Sequence, residues 1–163
     1  TFRINDILLE SYFSPEDDVM PKLVAFTATA RTSIHFMAFS FTDHALADAM
    51  VQRMNAGAQV AGVFETRGSG TESSECGYLL QSGVDVRLDE NPRTFHHKVV
   101  IVDGKAVAIG SFNFSDNAAT SNDENLLIIY DPGVAARYEE EFARQLNSAP
   151  PQQAGASQCV SPD

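Results

Sequence analysis

The chain has 163 residues, 44% hydrophobic and 20% charged, with 22 acidic and 11 basic side chains giving a formal net charge of −11. That is the length of one domain with an ordinary globular composition. The acidic balance counts against a nucleic-acid binder with a broad basic face but leaves room for a small, locally positive pocket; with no stretch of 18 consecutive apolar residues, no membrane-spanning helix or stable membrane insertion is expected.

Ser14-Pro15-Glu16-Asp17 has the composition of a helix start, and a helix is predicted from there to about Arg31, with Pro21 kinking it or shortening its first part. SIHFMAF (33–39) predicts a strand, and Thr42-Asp43 caps a second helix that ends at Gly57. AQVAGVF (58–64) is a second strand, so this part of the chain predicts a parallel β-α-β unit. The polar segment 66–75 is expected to be a mobile loop. A short helix over ECGYLLQS and a third strand, VDVRL (84–88), follow. Two strands flank Asp103-Gly104, NLLIIY (125–130) is another, and Pro132-Gly133 begins a last amphipathic helix.

The expectation is one α/β domain over residues 1–147, with a mixed, largely parallel sheet and helices on both faces. Residues 148–163 lack apolar periodicity and are expected to be a disordered tail. Cys76 and Cys159 have no metal-ligand spacing, and two free thiols are favoured over a disulfide. No secretory signal is visible, yet the chain starts at Thr1 rather than Met. The compartment stays open, and an exported, processed form remains an option.

The stretch FHHKVVIVDGKAVAIGSFNF (95–114) carries the chemistry. Asp103-Gly104 between two Val/Ile-rich runs predicts a two-residue hairpin loop, with Val102 opposite Lys105, His96 opposite Ser111 and Lys98 opposite Ile109. A bulge near Gly110 would shift that register by one residue. Strand side chains alternate, so His96, Lys98, Ser111 and Asn113 would share one face at one end, while His97, Val99 and Ile101 face the other way. A lysine, two neutral polar groups and an imidazole suit a tetrahedral phosphate and the charge that builds on its oxygens during displacement. The plain alternative is a hairpin whose strand ends carry ordinary polar residues.

His96-x-Lys98, four residues, Asp103, six residues, Gly110-Ser111-x-Asn113 resembles the signature of the phospholipase D superfamily at every fixed position. Over roughly residues 8–146 the chain is most similar to the small single-motif endonucleases of that superfamily. The resemblance implies a phosphodiesterase working without cofactor or metal through a phosphohistidine intermediate, with nucleic acid as substrate and phospholipid headgroups as the alternative. A degenerate module that holds phosphate without turnover is the reading from another class. His96 would be nucleophile or acid, Lys98 and Asn113 phosphate ligands, and Ser111 a nearby donor. Glu124 matches the acidic residue that holds the imidazole, although it could also simply begin a strand. Gly110 belongs to the motif, and Asp103 is read as structural. The mechanism needs two histidines and the chain carries one motif. The resemblance therefore implies a homodimer sharing one active site, or a second motif in a longer chain. His35 is expected in the core, His44 at the surface, Arg67 and Arg93 in loops that could border the pocket, and Phe36, Phe39, Phe41, Phe112 and Phe114 in the core or at an interface.

Overall fold

The structure, a computed structural model, describes residues 1–152 and residue 159. In chain order the elements are β1 (Phe2–Ile4), β2 (Ile7–Ser14), α1 (Val19–Ala28), β3 (Ser33–Ala38), α2 (His44–Asn55), β4 (Gln59–Phe64) and α3 (Cys76–Gln81). They continue with β5 (Asp85–Leu88), β6 (Lys98–Val102), β7 (Ala106–Gly110), α4 (Asp116–Thr120), β8 (Glu124–Tyr130) and α5 (Pro132–Ser148). The strands form one sheet in the order β1-β2-β8-β7-β6-β3-β4-β5.

The sheet is mixed, as expected, but it is not largely parallel. Only β3–β4 and β4–β5 pair in parallel, and every other neighbouring pair is antiparallel. The connections dictate this. A parallel neighbour needs a long crossover, which α2 and α3 provide, whereas β6 and β7 are joined by a tight turn. Residues 7–14 were not recognised as a strand from the sequence, and their antiparallel pairing with β8 adds to the imbalance.

The first helix also differs. Ser14 ends β2, and α1 begins only at Val19, after Asp18 in a left-handed backbone conformation. Pro21 is thus the third helical residue. The N–H groups of the first turn have no intrahelical partner, so a proline there removes nothing. The other caps follow the sequence reading. The Asp43 carboxylate accepts the Leu46 N–H at 2.8 Å, and Asp131 accepts the Val134 N–H at 2.7 Å with Pro132 in the first turn. A short helix missed in the sequence, α4, is capped by Ser115, whose hydroxyl oxygen accepts the Ala118 N–H.

Helices cover both faces of the sheet. One core lies beneath α1 to α4 and includes Leu23, Phe36, Phe41, Leu46, Val100, Phe112 and Phe114. The other lies beneath α5 and includes Met37, Val99, Ile101, Val107 and Phe142. Strand β6 feeds both cores by alternation, with Val100 and Val102 in the first and Val99 and Ile101 in the second.

The expectation of free thiols is overturned: Cys76 at the start of α3 is bonded to Cys159. Spacing along the sequence could not show that the chain after α5 runs back to α3. A bridge across a sequence separation of 83 residues restrains the unfolded chain, an effect worth about 2–5 kcal/mol. Pro151 makes a β-bridge with Arg87, whose guanidinium donates to the carbonyls of Leu146 and Ala149. The remainder of the expected disordered tail, residues 153–158 and 160–163, lies outside the described residues.

Candidate active site

The hairpin turn holds three residues rather than two. Val102 pairs with Ala106 and Val99 with Ile109, so each partner moves one residue from the sequence reading. Asp103 and Gly104 both adopt positive φ, and Lys105 completes the turn by donating its N–H to the Val102 carbonyl at 2.9 Å. Lys98 therefore comes level with Gly110, not Ile109. Beyond Gly110, the N–H groups of Ser111 and Phe112 both donate to the Asn125 carbonyl at 3.2 Å. This is a bulge in β7, and it re-aims the residues that follow.

Lys98 begins β6 on the face that carries Val100 and Val102. It is 6% exposed. Its ammonium donates to the His96 carbonyl at 3.0 Å and lies 4.7 Å from the centroid of the Phe39 ring. Burial lowers its pKa to about 8, against the charge of Glu124, which raises it. His96 stands exposed two residues before the first residue of the strand, with its ring 4.5 Å from that of Phe39. Phe39 is half-buried and bridges the two motif residues.

The segment after β3 joins the halves of the motif. The Phe39 N–H donates to the His97 carbonyl at 2.8 Å, and the Phe114 N–H donates to the Ser40 carbonyl at 3.1 Å. His96 and Lys98 thus flank one side of residues 39–41, and Asn113 the other. Asn113 is half-buried, and its buried Oδ1 has no hydrogen-bond partner among the described residues. Ser111 is exposed, and its hydroxyl oxygen accepts the Asn125 N–H at 3.0 Å. Gly110 is required by that contact with β8, because a Cβ there would lie 2.1 Å from the Asn125 carbonyl oxygen.

Glu124 opens β8 opposite Ser14, half-buried, and accepts the Asn122 amide at 3.1 Å. Its hydrogen bonds among the described residues do not include His96; its charge acts on Lys98. Asp103 sits at the far end of β6. Its carboxylate accepts the N–H groups of Arg31, Thr32 and Ser33 and the Thr32 hydroxyl. Burial alone would raise its pKa, but these donors hold it at about 2, so Asp103 ties the hairpin turn to the start of β3.

The other histidines lie apart from this cluster. His97 faces α5, 3.5 Å from Glu141, and burial lowers its pKa. His35 is half-buried rather than enclosed in the core. It stacks on Phe142 and meets Glu139 at 2.7 Å. His44 is exposed and lies 3.1 Å from Glu75. Arg93 is exposed in the loop before His96.

One residue was not singled out in the sequence. Glu65 ends the chain's path out of β4 at 2% exposure, and its carboxylate accepts the N–H groups of Phe95 and Arg67. It fixes the residue preceding His96. Its only signal was an acid directly after an apolar strand.

Residues 23–146 match the family described as Cardiolipin synthase, PLD-like domain. The chain is 31% identical over 128 residues to mitochondrial cardiolipin hydrolase of Xenopus tropicalis, covering 78% of this chain and 61% of that protein. It is 30% identical over 137 residues to phospholipase D of Rickettsia prowazekii, covering 83% and 67%. The chain spans about half to three fifths of the length of the cardiolipin hydrolases it matches. Among solved structures, Nuc from Salmonella typhimurium, a phospholipase D family member, superposes with a TM-score of 0.86 at 32% identity over 90% of this chain and 99% of that one. NucT from Helicobacter pylori shares the fold, with a TM-score of 0.80 at 23% identity over 90% and 99%.

Proposed function

The chain belongs to the phospholipase D superfamily, and from that premise we propose that it is a phosphodiesterase hydrolysing nucleic acid through a phosphohistidine on His96. The observation that carries this reading is Lys98. It is a buried ammonium that takes part in no ion pair among the described residues, directly behind an exposed imidazole. A desolvated cation without a carboxylate partner is costly unless an anion completes it. In a chain of net charge −11 it forms a local anion site.

The imidazole of one His96 attacks phosphorus, forming a P–N bond as the P–O bond to the leaving group breaks. His96 of the partner subunit gives its proton to that oxygen. It then takes a proton from water, whose oxygen attacks phosphorus and releases the first imidazole. Lys98 and Asn113 from both copies hold the non-bridging oxygens, and Ser111 is an additional donor. Glu124 orients an imidazole through a hydrogen bond that forms once the dimer and substrate are in place. No metal is needed for the charge on phosphate.

Nucleic acid is favoured by the likeness to Nuc over nearly all of Nuc's length, with one motif in one domain. A second reading, hydrolysis of phospholipid headgroups, is favoured by the relatives named cardiolipin hydrolase and phospholipase D. Among the described residues no helix is long and apolar enough to cross a membrane.

The test is incubation of the protein in EDTA with labelled single-stranded DNA, double-stranded DNA, RNA and cardiolipin vesicles. Cleavage of at least one nucleic acid is expected. Turnover of vesicles alone would transfer the assignment to lipid, and turnover of nothing would leave a phosphate-holding module. Activity lost in EDTA and restored by a divalent ion would replace the metal-free scheme.

Orthophosphate should inhibit competitively, with a pH dependence set by Lys98. Its pKa of about 8 is lowered, so the ammonium is present below that pH and lost above it. Inhibition should weaken by up to about tenfold per pH unit above pH ~8, and orthophosphate binding measured directly on Lys98→Ala should show no such slope. An inhibition constant that is flat from pH 7 to 10 would take Lys98 out of the pocket.

A further inference from the structure

Phe39 has two sets of neighbours. Its ring meets His96 and Lys98, and it also forms one wall of a cleft of about 220 Å³ whose other walls include Ser40, Thr42, Arg67, Ser69 and Ser74. The motif uses none of these residues. Among the described residues no carboxylate lines the cleft, although acids outnumber bases two to one in the chain.

The loop that builds the cleft is held on several sides. The Glu65 carboxylate accepts the Arg67 N–H at 3.1 Å, the Ser69 hydroxyl donates to the Glu65 carbonyl, and the Glu75 N–H donates to the Phe41 carbonyl at 3.0 Å. The Arg67 guanidinium spends one donor on the Pro92 carbonyl at 3.1 Å, and its Nε stands 3.8 Å from Glu65. The side chain is 67% exposed, and a guanidinium has five N–H donors in a planar fork suited to phosphate. The hydroxyls of Ser40 and Thr42 take part in none of the side-chain hydrogen bonds among the described residues.

We propose that this cleft holds the phosphate next to the scissile one along a nucleic acid strand, with Arg67 as its ligand and the Ser40 and Thr42 hydroxyls as further donors. The assignment rests on His96 and Lys98 being the scissile-phosphate site, since Phe39 is the wall the two sites share. The cleft is smaller than the roughly 300–1,000 Å³ of sites that enclose a whole small molecule, and so takes one polar group of a longer ligand. The surroundings favour a strand over a lipid surface. The large exposed apolar side chains among the described residues, Phe2, Ile4, Phe13 and Tyr130, lie on β1, β2 and β8. Those strands are at the opposite side of the sheet from β4, which leads into Arg67.

The test is equilibrium binding of orthophosphate, thymidine 3′,5′-bisphosphate and glycerol 1,3-bisphosphate to wild type, Arg67→Ala and Arg67→Lys. The nucleoside bisphosphate should bind at least about tenfold more tightly than orthophosphate. Arg67→Ala should erase that advantage without changing orthophosphate binding, and Arg67→Lys should restore part of it. An equal loss for both ligands in Arg67→Ala would make Arg67 a brace for the loop, and an unchanged advantage would remove it as a ligand. Either result overturns the proposal. Glycerol 1,3-bisphosphate binding as tightly, with the same dependence on Arg67, would overturn the nucleic acid assignment in favour of a lipid headgroup. Orthophosphate binding indifferent to Lys98→Ala would sink the scissile-phosphate site itself and leave the Arg67 comparison readable, so the two failures are distinct.

Discussion

His96→Ala should reduce turnover by about four orders of magnitude or more, because in the proposed scheme it removes the group that forms the covalent intermediate and leaves no substitute in its place. The fold should barely respond. His96 is exposed, lies outside the strands, and its ring contacts only the half-buried Phe39 among the aromatic neighbours. Surface substitutions of this kind usually stay within about 0.5 kcal/mol. The neighbouring histidine supplies the control. His97 lies on the other face of the sheet against Phe95 and Glu141, so His97→Ala should keep most of the activity. Initial rates on a labelled oligonucleotide, read beside thermal melts of all three proteins, decide the matter. A His96→Ala protein with more than about a tenth of wild-type activity would end the assignment. Equal losses in the two histidine variants would point to damage in the loop and not to chemistry.

The division of β6 between two faces was legible because strands alternate. His96 and Lys98 were placed on one face and Val99 and Ile101 on the other from period alone, and the two cores divide β6 in that way. The register was not legible. Asp-Gly signals a tight turn, but the three-residue loop depends on Asp103 at positive φ with its carboxylate fixed by Arg31, Thr32 and Ser33, seventy residues earlier. No local pattern announces that contact. The same holds for β2. Ile7–Ser14 has no clean alternation, since it is half-buried along most of its length, and only β8 beside it makes it a strand. Ser-Pro-Glu-Asp then misled, because it has the composition of a helix cap where the chain makes a turn. Phe39 was grouped with the phenylalanines expected in the core or at an interface, and nothing in SIHFMAF separates it from Phe36. Its role beside Lys98 arises from where β3 ends relative to β6.

Wild-type activity should fall as the square, not the first power, of the wild-type fraction when the protein is co-refolded with excess His96→Ala chains. One imidazole must be neutral to attack phosphorus while another must be protonated to release the leaving oxygen, and a single His96 cannot be both at once. Each chain supplies one, so the reacting pair would come from two chains related by a twofold axis, which requires the same patch on both. The features around His96 fit that demand. The histidine is exposed, and Lys98 and Asn113 lie behind it. With nine variant chains for each wild-type chain and random pairing, a shared site would leave about one hundredth of undiluted activity, and independent sites about one tenth. Refolding His96→Ala with Lys98→Ala chains should not restore a full site, because every mixed pair lacks one His96 and one Lys98. A linear fall, or sedimentation showing an active monomer at the assay concentration, would mean that one chain completes the reaction with a proton donor other than a second His96.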